Sequence, residues 1–130
     1  MILSTGLDLC DIRRIEKILG GKTAARFRAR YFTPTENAHI AARRPHAQAA
    51  AYARRWAAKE AIAKALGTGF RAGLHMHQME ILNDANGKPQ VKLTGRAAEL
   101  LSSFQPPASS IHIAMTDEYP YAMAQIIISG

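Results

Sequence analysis

Apolar residues at positions 3, 7 and 9 alternate with 4, 6, 8 and 10, the period-2 pattern of a half-buried strand over 2–9. The period then changes to that of a helix. Ile12, Ile15, Ile18 and Leu19 form one stripe over 12–19, turning Arg13, Arg14 and Lys17 outward, with Asp11 as N-cap and Gly20-Gly21 at the end. A short helix is predicted over 24–31 behind Thr23, with Arg26 and Arg30 at i, i+4 on one face. Thr33-Pro34-Thr35-Glu36 is a capping box with proline at N1, opening a helix to about residue 43 that Pro45 ends. The Ala-rich run 47–66 is the longest helix and closes at Gly67. Strands over 77–82 and 90–93 flank the turn Asp84-Ala85-Asn86-Gly87, and Thr94 caps a helix to about Phe104. Pro106-Pro107 is a stiff break before a hairpin pairing 110–115 with 122–129 around Thr116–Tyr121, in which Ile126-Ile127-Ile128 is a buried strand. The order β-α-α-α-α-β-β-α-β-β is α+β, with residues 1–130 as a single domain free of repeats and linkers.

Two acidic positions break these patterns. On the long helix Glu60 shares a row with Trp56, Ala63 and Gly67, a packed row on which a carboxylate is costly unless cations or donors satisfy it. Lys64, at i+4, either completes an ordinary helix ion pair or stands as a phosphate-binding lysine beside a metal-ligating carboxylate. Asp8 sits near the end of the first strand, on the face opposite Leu7 and Leu9, although aspartate suits strands poorly. It is either a strand-end aspartate or the second carboxylate of a divalent-cation site. Magnesium typically takes one or two protein carboxylates and completes its octahedron with phosphate and water.

Composition narrows the setting. The chain of 130 residues is long enough for one real core, and it has no apolar run long enough to span a membrane. The N-terminus enters a strand directly, so no signal peptide is expected, and the single Cys10 points to a reducing cytoplasm. Cys10 lies on the Asp8 face of its strand with no histidine close in sequence to make it a nucleophile. The net charge of +7 is uneven. Residues 1–71 hold 14 Lys/Arg and 5 Asp/Glu (+9), against 3 and 5 (−2) in 72–130. A basic half implies an anionic or acidic partner, but the basic residues are not interleaved with stacking aromatics and no nucleic-acid motif is present.

Taken in order, Gly6-Leu7-Asp8-Leu9, Arg13-Arg14-Ile15, Phe32-Thr33-Pro34-Thr35-Glu36 and the run Trp56–Gly69 with its Lys59-Glu60-Ala61 resemble the bacterial holo-acyl-carrier-protein synthases. These are the small 4′-phosphopantetheinyl transferases. The likeness continues through Gly73-Leu74, Met79-Glu80-Ile81, Asn83-Asp84, Gly87-Lys88-Pro89 and Tyr121-Ala122, covering nearly the whole chain. The resemblance implies the family fold, an antiparallel sheet packed against a long helix, in a homotrimer with sites between protomers. It also implies Mg²⁺-dependent transfer of the 4′-phosphopantetheine arm of coenzyme A to a serine of apo acyl carrier protein, in fatty acid biosynthesis. Asp8 and Glu60 would hold the metal, with Glu60 and Lys64 as catalytic residues. Arg55, Lys64, Gly67, Gly69, Lys88 and Pro89 would contact coenzyme A, and Arg14, Arg26 and Arg30, rimmed by Arg13 and Lys17, would receive the acidic carrier.

Two other functions remain open on sequence: the same transfer to a polyketide or peptide synthase carrier, and a non-catalytic RNA- or nucleotide-binding module driven by the basic half. One departure stands out. Many relatives carry Ser-His where this chain has Thr116-Asp117, and an aspartate supplies no cationic donor to a phosphate. Glu36 is explained by its capping box, His112 by its strand, and Arg43-Arg44 and Arg54-Arg55 read as solvated helix faces. His75 and His77, two apart, are a weak metal-chelating pair.

Overall fold

A computed structural model describes residues 1–130, and its organising element is α4, Pro45–Leu66. Pro45 occupies the first turn of this helix, so it opens α4 as well as closing the helix before it. Gly67 ends α4 in the left-handed conformation (φ 87°). Its buried side is rich in alanine, with Ala57, Ala58, Ala61 and Ala65 inaccessible to solvent. Small side chains let other backbones come close.

The backbone that comes close is a three-stranded antiparallel sheet in the order β1-β5-β4, formed by β1 (Ile2–Asp11), β5 (Tyr121–Ser129) and β4 (Ser110–Glu118). The alternation expected for β1 is present, but the face turned to α4 carries its small residues. Gly6 and Cys10 are buried, whereas Leu7 and Leu9 are 54% and 59% exposed. Strand β5 continues the pattern, with Ala122 and Ala124 buried opposite Cys10 and Asp8, and Tyr121 and Met123 exposed. A Cβ on Gly6 would lie 1.9 Å from the carbonyl oxygen of Ala61, so only glycine permits this strand–helix approach.

The remaining elements cover the other side of α4. Helices α1 (Ile12–Leu19), α2 (Ala24–Tyr31) and α3 (Pro34–Ala41) follow the predicted ranges closely. Asp11 caps α1 by accepting from the Arg13 N–H, and Thr33 and Glu36 form the expected capping box. Thr23 and Thr94 make no side-chain cap. A 3₁₀ turn at Met76–Gln78 replaces the start of the strand predicted at 77–82, leaving β2 at Met79–Asn83 paired with β3 at Pro89–Leu93. Helix α5 spans Gly95–Ser102, and β4 and β5 extend to a tighter turn than predicted. Phe27, Phe32 and Tyr52 fill the core between α2 and α4, where Trp56 stacks on Phe27 (5.6 Å) and meets Tyr31 edge-on (5.1 Å). No helix is long and apolar enough to cross a membrane.

Candidate active site

The close packing of β1 on α4 brings Asp8 and Glu60 together. Asp8 lies on the inward face of β1, two residues past Gly6, and its carboxylate is mostly covered. Glu60 lies on α4 next to Ala61, the residue that Gly6 approaches. Burial holds the Glu60 carboxyl above the usual carboxylate range, and the charge of Asp8 pushes it further up, while Lys64 and Arg14 pull it down.

Lys64 does not pair with Glu60 along the helix. Its Nζ donates to the Leu7 carbonyl and to Asp8 Oδ1, both at 2.9 Å, and so ties α4 to β1. The ammonium remains half exposed beside the two carboxylates. Cys10, on the same face, keeps its proton, since burial pushes the thiol up to about 11. No group of three or more His, Cys, Asp or Glu side chains is arranged to hold a metal ion. The available donors are therefore two carboxylates, a set that suits a hard cation with open positions for phosphate and water.

Glu60 also borders a cavity of about 500 Å³. One wall is the end of α2 (Arg30, Tyr31), a second is α4 (Trp56, Glu60), and the third is the segment from Phe70 to His77. The His75 and His77 rings stack there, 5.5 Å apart and 7° from parallel. A second recess, of about 330 Å³, runs along Ile18, Phe27 and Tyr31 and is edged by Arg26 and Arg30. Arg14 lies over the Trp56 ring at 5.7 Å. The three arginines expected to receive an acidic partner thus flank the cavity and its neighbouring recess, while Arg13 is engaged by Asp11.

Other expected site residues lie apart. Gly67 and Gly69 follow α4, both with positive φ and open space where a Cβ would be. Lys88 and Pro89 line a separate recess against Ile111, His112 and Ile113 of β4. Arg55 is not on a solvated face. It is buried, donates to the carbonyls of Ile81 (3.1 Å) and Ala51 (3.3 Å), and is lowered to about 10 by burial. The guanidinium is committed inside the chain, away from the two carboxylates. Its neighbour Arg54 is only partly covered and pairs with Asp117, so Asp117 holds a cation at its carboxylate.

The cavity, the Lys64–Asp8 bridge and the Arg54–Asp117 pair were not read from sequence. The signal for the first was the helical period itself, which sets Lys59 on the buried stripe with Tyr52, Ile62 and Leu66 and leaves Glu60 one position round, at the stripe's edge.

Comparison with known proteins gives the family of the chain. A family model described as the 4′-phosphopantetheinyl transferase superfamily matches residues 4–124. A holo-[acyl-carrier-protein] synthase of Granulibacter bethesdensis is 47% identical over 132 aligned positions, covering all of this chain and 90% of the relative. The crystal structure of holo-[acyl-carrier-protein] synthase from Neisseria meningitidis superposes with a TM-score of 0.84 at 31% identity, covering both chains completely. The Bacillus anthracis holo-(acyl-carrier-protein) synthase, solved in complex with CoA (3′,5′-ADP), gives 0.80 at 27% identity, covering 100% and 99% of the two chains.

Proposed function

The chain belongs to the 4′-phosphopantetheinyl transferase superfamily, and we propose from that premise that it is a holo-[acyl-carrier-protein] synthase. It transfers the 4′-phosphopantetheine arm of coenzyme A to a serine of apo acyl carrier protein, in fatty acid biosynthesis. The observation that carries the reading is the convergence of Asp8, Glu60 and Lys64 from β1 and α4 beside an open cavity.

In the reaction the serine oxygen attacks the β-phosphorus, which bears the pantetheine. A P–O bond forms there, the pyrophosphate P–O bond breaks, and adenosine 3′,5′-bisphosphate leaves with the bridging oxygen. Catalysis of this kind is mostly positioning and charge neutralisation. Asp8 and Glu60 would hold Mg²⁺, which would supply positive charge for the pyrophosphate oxygens. Lys64, anchored on Leu7 and Asp8, presents a fixed positive charge to the same phosphates. Gly67 and Gly69 leave the end of α4 bare for close approach of the nucleotide. Glu60, which lines the cavity, is the carboxylate of the site placed to take the serine proton. Lys88 and Pro89 reach the adenosine bisphosphate end, and Arg14, Arg26 and Arg30 receive the acidic carrier.

The working unit is a homotrimer in the cytoplasm. Support for assembly comes from Leu7, Leu9, Tyr121 and Met123, which expose an apolar sheet face that a monomer would not keep bare. Support for the compartment is the single unpaired thiol. The test is mass spectrometry of apo acyl carrier protein incubated with the enzyme and coenzyme A, with and without Mg²⁺. A mass gain of one phosphopantetheine that requires the metal is the expected result. An unmodified carrier refutes the reading.

A further inference from the structure

Lys59 is the least accessible ammonium in the protein, and nothing in the chemistry above uses it. It is fully buried, as is its counter-ion Glu36, 2.7 Å away. Its other two N–H groups donate to backbone carbonyls, Tyr31 at 2.8 Å and Met76 at 3.1 Å, and its charge sits 4.7 Å from the centre of the Phe32 ring. An ammonium has three donors, and all three are used, so none is left for a substrate.

The acceptors say what the residue is for. Tyr31 belongs to the first wall of the cavity beside Glu60, Met76 to the third, and Lys59 itself adjoins Glu60 on the second. One buried cation therefore reaches all three walls. Glu36 extends the tie, since its second oxygen accepts from the Ile81 N–H of β2 while the first also accepts from the Thr33 N–H. A core needing only stability would gain as much from an apolar side chain here, because desolvation of a buried ion pair offsets most of its attraction. What an apolar side chain cannot do is hold two carbonyls from separate segments at a fixed spacing.

We propose that Lys59 is a positioning residue for the transfer: by bonding Tyr31 and Met76 it fixes the walls of the cavity in which the phosphopantetheine arm and the incoming serine meet beside Glu60. The proposal rests on the function given above for its kinetic consequence, but not for its structural one. Misplacement of reacting groups by about 1 Å costs on the order of 100-fold in rate, whereas Lys88 and Pro89, assigned above to the nucleotide end of coenzyme A, line a separate recess.

The test is the double variant Lys59→Met with Glu36→Gln, which removes both charges together and leaves no lone ion buried. Trp56, the only tryptophan, is in the cavity wall and reports its state without turnover. The expected outcome is a folded protein by circular dichroism in which Trp56 emission shifts to the red and acrylamide quenching rises. Its kcat falls at least about 10-fold, with KM for coenzyme A within about 3-fold of the parent. Unchanged Trp56 quenching and unchanged kcat in a folded double variant overturn the clamp. If the double variant does not fold, Lys59→Gln with Glu36→Gln is measured in the same way, since it keeps two donors for the Tyr31 and Met76 carbonyls and leaves no lone ion buried. Loss of fold there too makes Lys59 a determinant of the fold and overturns the positioning role. Should the parent protein itself fail to modify the carrier, the function is at fault, and the quenching comparison still decides the clamp.

Discussion

Glu60 carries opposite demands of stability and chemistry. Its folded pKa is raised above the value of an unfolded chain, mainly by burial and then by Asp8. A carboxyl of this kind contributes stability below its unfolded pKa, and that contribution is lost as pH rises through the folded value. At neutral pH and without metal, the ionised group is therefore a liability to the fold. Glu60→Gln is expected to melt above the parent at pH 7 in chelator, with the gap closing as pH falls below the ordinary carboxylate range, while transfer is abolished. A lower melting temperature at pH 7, or turnover like the parent's, would sink the assignment. Lys64 is the complementary case. It is half exposed, so Lys64→Met is expected to change the melting temperature little, yet to cost about 10²–10³-fold in kcat through loss of a fixed charge at the phosphates. Comparable losses in both would make it a structural bridge between α4 and β1.

At the scale of elements, the site depends on how close β1 lies to α4, and Gly6 sets that distance. A methyl at Gly6 meets the Ala61 carbonyl at 1.9 Å, so the strand must withdraw and take Asp8 away from Glu60. Gly6→Ala is expected to cost about 1–3 kcal/mol by denaturant unfolding, the usual range for overpacking. It should also raise the Mg²⁺ concentration needed for half-maximal activity. A metal requirement like the parent's would show that the carboxylates are not set by this contact. Most of these elements are legible in sequence, because α1, α3 and α4 carry their own caps and periods. The inward face of β1 is not. Leu7 and Leu9 mark an apolar face by composition, but α4 offers alanines, and the close fit selects Gly6 and Cys10 instead. Arg55 and Lys59 mislead in the same way. Charge alone places them outside, whereas the helical period and the carbonyls of Ala51, Ile81, Tyr31 and Met76 allow them inside. Asp8 and Glu60 stand out because each breaks a local pattern, and Lys64 because it lies at i+4 from Glu60, while the cavity beside them is assembled from segments far apart in sequence, of which only the α4 wall is marked by its helical period.

At the scale of the molecule, charge and apolar surface are segregated. Arg14, Arg26 and Arg30 of the basic half flank the cavity and its neighbouring recess, and rim charges act mainly on association rate, within a screening length of about 8 Å at 0.15 M salt. Arg14→Glu is thus expected to raise KM for the carrier protein and leave KM for coenzyme A nearly unchanged, with parent activity declining as NaCl rises. Equal impairment of both substrates would place Arg14 in the nucleotide pocket. The outer face of the β1-β5-β4 sheet is the other large surface. Leu7 and Leu9 on β1 stand beside Met123 and Tyr121 on β5, the middle strand, and nothing in the chain covers them. In the proposed trimer the apolar alternation of β1 would be satisfied between subunits and not within one. Met123 is 40% exposed and lies on the face away from Asp8 and α4, so Met123→Lys disturbs neither the core nor the carboxylates. Three lysines brought together on a shared apolar surface would repel one another and lose solvation. The expected outcome by sedimentation equilibrium is a folded monomer where the parent is a trimer, with transfer activity lost in step if the site needs residues of a neighbouring subunit. A variant that remains trimeric would move the subunit interface to another face, and a monomer with full activity would make each chain sufficient by itself.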